Sequence, residues 1–433
     1  MIKILRENKI LLIILSAAFV FSLAYSFYFK IQPSVDARAY HNIAVNIING
    51  YGYTENPNLS PEEELSISRM GPGYELFLAV IYKIFGVHLP VVWVINAILF
   101  VFSGYLIYKI TYKLFFDYKI AVVAVFLYVF FIDVLQATAM LLTENLYLFL
   151  LILVFYFLLL VMEKNNFPRQ LLFAVACAAT VLVRSTFLVS FGLLIIYLII
   201  KKNYQLIFLT LFMIILILLP WGLRNYQVYH KFMLSNVALG YNLWAGNNLQ
   251  SKGEQVGNPE IDKYLEEYGI IKTAEHGLGE YKNYVRNYPF HFLQLQIIKT
   301  IKYFSLVRVS AFWFHLYGLT KIIIGAWSGL FALVVFVFGS LGFYQLLKEK
   351  KNLILNIFII SFPLSVIPFL VENRYRWPIY PFLAISAAYS IIRIINKNIK
   401  WQKIIIFASI FILITIIDVI ISYQDVLERL RGL

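Results

Sequence analysis

The sequence has only one cysteine and lacks the common local signatures of metal, nucleotide and hydrolase sites. Cys177 lies in an apolar run and has no second thiol to pair with, so the chain forms no internal disulfide. Zinc-type spacings, a GxxxxGK phosphate loop and a GxSxG elbow are all missing. Any chemistry must therefore come from residues that the fold brings together.

Charge is also scarce, at 14% of residues against 61% hydrophobic, which is typical of a multi-span membrane protein. Apolar runs of about 17 to 25 residues cross a hydrocarbon core roughly 30 Å thick. Only helices close their backbone hydrogen bonds within each span, so we predict an all-α bundle of about eleven spans, with residues 1–433 as one transmembrane domain. The predicted runs are 10–29, 88–108, 119–133, 142–161, 169–183, 186–200, 205–221, 318–346, 352–371, 377–394 and 402–422. The first run lacks a small-residue cleavage site and is predicted to be a retained span.

Lysine and arginine collect at alternate ends of these runs, which sets the orientation. The basic ends carry Lys3, Arg6, Lys9, Lys109, Lys113, Lys119, Lys164, Arg169, Lys201, Lys202, Lys348, Lys350, Lys351, Lys397, Lys400 and Lys403. If these ends are cytoplasmic, a first loop at 30–87 and a large loop at 222–317 lie outside. The net charge of +14 then reflects topology and attraction to membrane lipids, and no soluble basic face for nucleic acid is present. We predict a multi-pass protein of the plasma membrane.

Several ionisable residues lie at the outer ends of the spans, where a charge costs roughly 2.5–3.5 kcal/mol unless it has a partner or a wet cavity. These residues are Asp36, Asp133, Glu144, Arg184, Arg224, Arg374 and Arg376. A carboxylate accepts a proton from a hydroxyl or binds a metal, and arginines bind phosphate through paired hydrogen bonds. The set therefore suits a phosphate-bearing substrate and a hydroxyl acceptor.

The first outer loop holds two amphipathic segments. Apolar residues recur at helical spacing from Asp36 to a stop at Gly50, and a second helix is expected from near Pro72 to Gly86. Such helices lie on a membrane surface and would form a lid over the bundle. Asp36 begins the first helix, so it either caps that helix or takes part in catalysis.

Four groups of motifs follow one another along the outer segments. They are Asp36-Ala-Arg-Ala-Tyr40 with Asn49-Gly-Tyr-Gly-Tyr53 and Met70-Gly-Pro-Gly-Tyr74; Leu142-Thr-Glu-Asn145; Pro220-Trp-Gly-Leu-Arg-Asn-Tyr226 with Gly240-Tyr-Asn-Leu-Trp-Ala-Gly-Asn-Asn248; and Arg374-Tyr-Arg-Trp-Pro-Ile-Tyr-Pro381. In this order they resemble the GT-C glycosyltransferases that use polyprenyl-phosphate sugars, such as protein mannosyltransferases and aminoarabinose transferases. The Trp-Trp-Asp signature of oligosaccharyltransferases is missing.

The resemblance implies an enzyme that moves a sugar from a polyprenyl phosphate to a lipid, glycan or protein acceptor outside the membrane. Asp36 matches the first-loop aspartate, as general base or metal-associated carboxylate. Glu144 matches a second acidic position, which would bind a divalent ion or orient the acceptor. Carboxylates alone favour a hard ion such as Mg²⁺ or Mn²⁺, so Asp36 and Glu144 are the candidate metal ligands. The alternative for Glu144 is a favourable place at a helix N-terminus, with Thr143 as its cap.

The remaining candidates would bind substrate. Arg224, Arg374 and Arg376 are the candidates for the lipid phosphate, with Arg69 and Arg184 as possible helpers. The alternative for each arginine is simple interfacial snorkelling to lipid headgroups. Tyr40, His41 and Tyr375 complete the expected site, although His41 also fits a solvated helix face.

Two other functions share part of this pattern. An O-antigen-type ligase or polymerase also has a large late outer loop, and a lipid-sugar transporter or flippase also buries charge in a bundle. The acid-bearing first loop argues against the ligase, and the lack of an internal repeat argues against the transporter. We expect acceptor recognition to come from the outer loops or from a partner. The sugar, the acceptor and the isoprenoid length are not encoded in any motif.

Overall fold

The computed structural model describes residues 2–61, 63–69, 71–235, 237–254, 258–306 and 314–423, and within these ranges the chain forms helices and no strands. Met70 of the first-loop motif lies outside the described residues. The α-helices are α1 Ile2–Phe29, α2 Asp36–Ile48, α3 Gly73–Phe85, α4 Leu89–Phe115, α5 Tyr118–Val129, α6 Ile132–Ala137, α7 Thr143–Glu163, α8 Phe167–Val183, α9 Phe187–Ile200, α10 Tyr204–Tyr229, α11 Leu239–Gly246, α12 Pro259–Asn287, α13 Pro289–Phe304, α14 Gly318–Lys348, α15 Leu353–Val366, α16 Tyr380–Ile395 and α17 Trp401–Ile421. Short 3₁₀ turns occupy Ser66–Ser68 and Asn373–Ile379.

All eleven predicted apolar runs are helical, and the all-α membrane bundle is confirmed. Seven helical stretches in the described part of the chain are long and apolar enough to cross a membrane: Lys9–Phe29, Leu89–Phe115, Thr143–Glu163, Tyr204–Tyr229, Gly318–Lys348, Asn373–Ile395 and Trp401–Ile421. The other four runs form the shorter helices α5, α8, α9 and α15, of 12 to 17 residues. At 1.5 Å per residue these four are shorter than a bilayer core of roughly 30 Å.

Small polar side chains hold the central helices together. Helix α16 packs against α14 and α5, and its Ser386 and Ser390 hydroxyls donate to the Gly339 and Phe338 carbonyls of α14 at 2.9 and 2.7 Å. Between α9 and α15, the hydroxyls of Ser190 and Ser361 lie 2.7 Å apart. Such contacts are common in membrane bundles, where lipid tails give apolar helices little reason to associate.

The two helices expected in the first outer loop are present as α2 and α3, which pack on each other. Tyr40 of α2 and Tyr74 of α3 meet edge to face, 5.4 Å between ring centroids. Gly86 follows α3 with a φ of +78°, a conformation that glycine adopts without strain. The pair places the start of α2 beside the ends of the long helices.

The seventh run does not end at Pro220-Trp221 as expected, since α10 continues to Tyr229 with Pro220 inside it. Proline is tolerated in a membrane helix where neighbouring groups satisfy the freed backbone. The segment after α10 carries α11, α12 and α13, with α11 packed closely on α12.

Candidate active site

Asp36 is the first residue of α2, and its carboxylate binds two arginines from distant parts of the chain. Oδ1 accepts from Arg69 Nη1 at 3.0 Å, and Oδ2 accepts from Arg374 Nη2 at 2.6 Å. The residue before the helix is Val35, and no side chain caps α2. The capping interpretation of Asp36 is therefore wrong.

Arg69 is held in place by a second carboxylate. Its Nε and Nη2 donate to the two oxygens of Glu55 at 2.6 and 3.0 Å, the paired geometry that a planar guanidinium favours. Arg69 thus bridges Glu55 and Asp36 within the first outer loop.

The Gly-Pro-Gly motif after Arg69 brings the first loop against the end of α8. A Cβ on Gly73 would lie 2.8 Å from the backbone carbon of Leu182, and one on Gly71 would lie 2.5 Å from the Leu182 oxygen. No side chain fits at those distances, so glycine is required here. The contact sets the first loop beside Arg184, two residues further along.

Arg184 and Glu144 form an ion pair in the interior, with Nη1 and Oε1 3.2 Å apart and side chains only 4% and 1% exposed. Thr143 does not cap α7 as expected; its hydroxyl lies 3.2 Å from Glu144 Oε2 and donates to it. A buried pair of this kind needs both partners, because either charge alone is costly to bury.

Arg374 joins the two ion pairs. Its Nη2 binds Asp36, its Nε lies 3.0 Å from Glu372 Oε2, and the same Nε is 3.8 Å from Glu144 Oε1. The guanidiniums of Arg374 and Arg184 lie 5.3 and 5.4 Å from the ring of Tyr375, close enough for cation–π attraction. We call this arrangement the charged cluster, and its members are Asp36, Glu55, Arg69, Glu144, Arg184, Glu372 and Arg374.

The cluster keeps Asp36 ionised. Burial raises the pKa of this carboxyl, but the guanidiniums of Arg374 and Arg69 outweigh burial and hold the pKa below its usual range. Asp36 is therefore a carboxylate at neutral pH, able to accept a proton or a hydrogen bond.

Tyr40 and His41 adjoin the cluster without bonding to it in the described part of the chain. Tyr40 is buried against Tyr74, and burial followed by the charge of Asp36 raises its pKa far above the usual value. His41 Nδ1 lies 2.8 Å from the Tyr82 hydroxyl, and burial lowers the pKa of the imidazole. His41 thus links α2 to α3. Its side chain is half-buried, so it does not lie on a fully solvated helix face as expected.

Arg224 lies outside the cluster and supports the first loop. Its Nη2 donates to the Tyr53 carbonyl at 2.7 Å, and the guanidinium lies 5.2 to 5.6 Å from the rings of Trp221, Tyr229 and Tyr53. It is part of α10 rather than of a loop, and the structure does not bring it to the arginines that bind Asp36.

Arg376 also lies apart from the cluster, despite its position two residues after Arg374. Its side chain is 1% exposed, and Nη1 donates to the carbonyls of Ser305 and Tyr303 at 2.6 and 3.2 Å. In the described contacts, Arg376 therefore binds the end of α13.

Asp133 is also separate from the charged cluster. Its carboxylate accepts a hydrogen bond from the Ser328 hydroxyl at 2.6 Å.

Three acidic residues near the cluster were missed from the sequence. Glu55 follows the Tyr-Gly-Tyr motif by two residues, and Glu372 precedes Arg374 by two. Glu372 is close enough to Arg374 in the sequence for a local ion pair to be expected, whereas Glu55 is 14 residues from Arg69. Glu75 lies in the first turn of α3 and is fully buried, where it accepts from the Tyr53 hydroxyl at 3.0 Å.

Glu75 gives a pH prediction. Burial raises its pKa from 4.5 to about 8, so the folded protein keeps a proton that the unfolded chain releases in this interval. Stability from this group is complete below about pH 4.5 and is lost as the pH rises through about 8. We expect Glu75→Gln to remove this loss, seen as a smaller drop in melting temperature between pH 6 and 9 than in the wild type. An equal drop in both proteins would contradict the assignment.

The two predicted metal ligands are already paired. Both oxygens of Asp36 accept from arginines, and Glu144 pairs with Arg184 and adjoins Arg374. A hard divalent ion takes about six oxygen ligands, whereas three guanidiniums converge on these carboxylates. In the described ranges, His, Cys, Asp and Glu do not form any group of three suited to a metal. The donor set does not fit a divalent ion.

Residues 69–223 match the family described as dolichyl-phosphate-mannose-protein mannosyltransferase. The fold resembles the solved archaeal oligosaccharyltransferase AglB from Archaeoglobus fulgidus, in complex with an inhibitory peptide and a dolichol-phosphate. The alignment covers 95% of this chain and 56% of that one, with a TM-score of 0.51 and 16% identity. This chain has a GT-C fold. The fold and the family match over residues 69–223 both support the predicted resemblance to GT-C glycosyltransferases.

Structures of ArnT from Cupriavidus metallidurans align less closely with the GT-C chain. The form bound to undecaprenyl phosphate gives a TM-score of 0.41 and the apo form 0.40, both at 12% identity, covering 88% and 87% of this chain and 77% of theirs. No curated protein sequence matches the chain. This GT-C chain spans about half the length of AglB. The segment matched to the family contains Arg69, Glu144 and Arg184, whereas Asp36 and Arg374 lie outside it.

Proposed function

We propose that this GT-C protein is an integral-membrane glycosyltransferase that moves a sugar from a polyprenyl-phosphate donor to an acceptor hydroxyl or amine. The observation that carries the proposal is the contact of the Asp36 carboxylate with Arg69 and Arg374. It places a proton acceptor beside two groups that bind phosphate. The family match over residues 69–223 supports a lipid-phosphate donor, as does the dolichol-phosphate bound to AglB.

In the proposed reaction the acceptor oxygen forms a bond to the anomeric carbon of the sugar, and the bond from that carbon to the phosphate oxygen breaks. Asp36 takes the acceptor proton, and the bonding electrons leave with the polyprenyl phosphate. Arg374 and Arg69 stabilise the charge that grows on this phosphate. Glu144 and Arg184, buried beside Arg374, fix its direction.

The arginines would also couple donor binding to proton transfer. In the structure they are paired with carboxylates, and this pairing lowers the pKa of Asp36. When the donor phosphate takes hydrogen bonds from Arg374 or Arg69, Asp36 loses part of that stabilisation and its pKa rises. The carboxylate then becomes a stronger base only once the donor is present.

The proposed side of action is outside the plasma membrane. The cluster residues lie in the first outer loop or at the span ends opposite to those that are rich in lysine and arginine. At the opposite, basic ends of the helices, Lys113 pairs with Glu163, and Arg393 pairs with Glu349 at 2.8 Å.

The function is tested by mass spectrometry of envelope glycans and polyprenyl-phosphate sugars from cells that make the wild type or Asp36→Asn. We expect the variant to accumulate one polyprenyl-phosphate sugar and to lose the same sugar mass from one glycan, lipid or protein. Unchanged glycans and unchanged donor would refute the proposal.

Chelation gives a second test. Because the carboxylates of Asp36 and Glu144 are bound by arginines, we expect EDTA to leave transfer unchanged in proteoliposomes. Loss of transfer in EDTA, with recovery on adding Mg²⁺ or Mn²⁺, would show that a divalent ion displaces those arginines.

A further inference from the structure

A cleft lies in the large outer loop and is lined by none of the charged-cluster residues. It is an open cleft of about 380 Å³ between α11 with its following loop and the helix α12. Its lining includes Trp244, Asn248, Asn283, Tyr284, Asn287 and Tyr288. The volume is within the range of small-molecule sites, roughly 300–1,000 Å³.

The cleft exists because α12 folds back on itself. Gly269 has φ +72° and ψ 169°, which breaks the helix into two arms. The rings of Tyr264 and His276, one on each arm, stack with centroids 4.4 Å apart and planes 9° apart. Trp244 of α11 meets the His276 ring edge to face at 5.3 Å. The two arms therefore run side by side and form one wall of the cleft.

The lining combines amides, aromatic rings and two carboxylates. Asn283 and Asn287 lie one turn apart on the same helix face, and within the described part of the chain neither side chain makes a hydrogen bond. Glu260 and Glu280 come from the two arms and add acceptors. An amide both donates and accepts hydrogen bonds, as a sugar hydroxyl does, and the flat face of Tyr288 suits the apolar face of a sugar ring.

The charge of the cleft argues against a phosphate ligand. Among the described lining residues the two glutamates are the only charged side chains, and lysine and arginine do not contribute. An anionic group would meet carboxylates with no cation to offset them. The chemistry fits a neutral, hydroxyl-rich ligand.

Asn247 also lines the cleft as its buried floor, and hydrogen bonds connect it to the segment that precedes Arg374. Asn247 is fully buried; its Nδ2 donates to the Pro368 carbonyl at 3.0 Å, and its Oδ1 accepts from Lys299 Nζ at 2.7 Å. Lys299 Nζ also donates to the Phe369 carbonyl at 2.6 Å. The segment held by these bonds continues within five residues to Arg374, which binds Asp36.

We propose that this cleft binds a carbohydrate, and that the carbohydrate is part of the acceptor. The second statement rests on the proposed glycosyltransferase function, whereas the first does not. The cleft then selects a glycan acceptor. Its floor, Asn247, holds that acceptor in a fixed position relative to the segment that carries Arg374.

Binding is tested with the full-length protein in lipid nanodiscs, applied to an array of neutral, acidic and phosphorylated oligosaccharides. We expect a neutral oligosaccharide to bind, and the double variant Asn283→Ala/Asn287→Ala to bind it at least tenfold more weakly. The matched control is Lys282→Ala/Arg286→Ala, which alters two exposed residues of the same turns that do not line the cleft. Tyr288→Ala is a second, independent variant of the lining, and unchanged melting temperatures show that the variants fold.

The outcomes separate the cleft from the catalytic proposal. Asp36→Asn should bind the oligosaccharide as the wild type does. Where transfer is measurable, the Asn283/Asn287 variant should raise the acceptor KM tenfold or more with little change in kcat. Oligosaccharide binding without any sugar transfer would refute the catalytic proposal, but it would still support a carbohydrate site in the cleft. Transfer with an unchanged acceptor KM in the Asn283/Asn287 variant, or no oligosaccharide bound above empty nanodiscs, would refute the carbohydrate site.

Discussion

Asp36→Asn is expected to reduce sugar transfer by about 10²- to 10⁴-fold, the usual contribution of a positioned proton acceptor. Asparagine has nearly the same shape and still accepts one hydrogen bond from Arg69 or Arg374, but it cannot take a proton. Donor binding should not weaken, because the arginines lose a competing carboxylate. The measurement is the initial rate at which a labelled sugar is transferred from the donor lipid in proteoliposomes. Donor affinity is measured by titrating the same preparation with the donor lipid.

The matched control is Glu266→Gln, an acid-to-amide change at an exposed position in the same outer region. It should transfer at the wild-type rate. An Asp36→Asn protein that inserts normally and keeps more than a tenth of the wild-type rate would show that Asp36 is not the base. The cluster would then be a structural ion network.

Arg184→Met is expected to lower the free energy of unfolding by about 3–5 kcal/mol, because it leaves the buried carboxylate of Glu144 without its nearest partner. The control is Lys113→Met, which breaks a partly exposed pair with Glu163 and should cost less than about 1 kcal/mol. Unfolding in mild detergent with a graded denaturant measures both. A similar loss in the two variants would mean that burial does not decide the contribution of the pair.

The double variant Arg184→Met/Glu144→Leu distinguishes stability from function. Replacing both members of a buried pair by apolar residues is often neutral or stabilising, so much of the lost stability should return. Transfer should stay low, because Arg374 then lacks the Glu144 carboxylate near its Nε. Recovery of activity together with stability would assign the pair a purely structural role.

The sequence was sufficient for features that depend on local pattern. Apolar length marked eleven helical runs, and the helical spacing after Asp36 and Pro72 located α2 and α3. The Gly-Pro-Gly motif marked a real contact, although its reason, the approach of Gly73 to Leu182, depends on the tertiary structure. Turns and periodicity are encoded within a few residues and can be read without knowing the fold.

Partners of the charged residues could not be predicted in the same way. Arg374 and Arg376 are two residues apart and chemically identical, yet one binds Asp36 and the other binds carbonyls at the end of α13. Arg224 was also predicted to bind the lipid phosphate, but its guanidinium donates to the Tyr53 carbonyl. The direction in which a side chain leaves a 3₁₀ turn or a helix decides its partner, and that direction is set by packing between distant segments.

The bond between Asp36 and Arg374 spans 338 residues, which has a consequence during synthesis. At about 5–20 residues per second, roughly 20–70 seconds separate the appearance of these two residues at the ribosome. The first loop is therefore made well before its late arginine exists. A growing or prematurely ended chain therefore carries a first loop without Arg374, and the charged cluster is complete only when nearly all of the chain has been made.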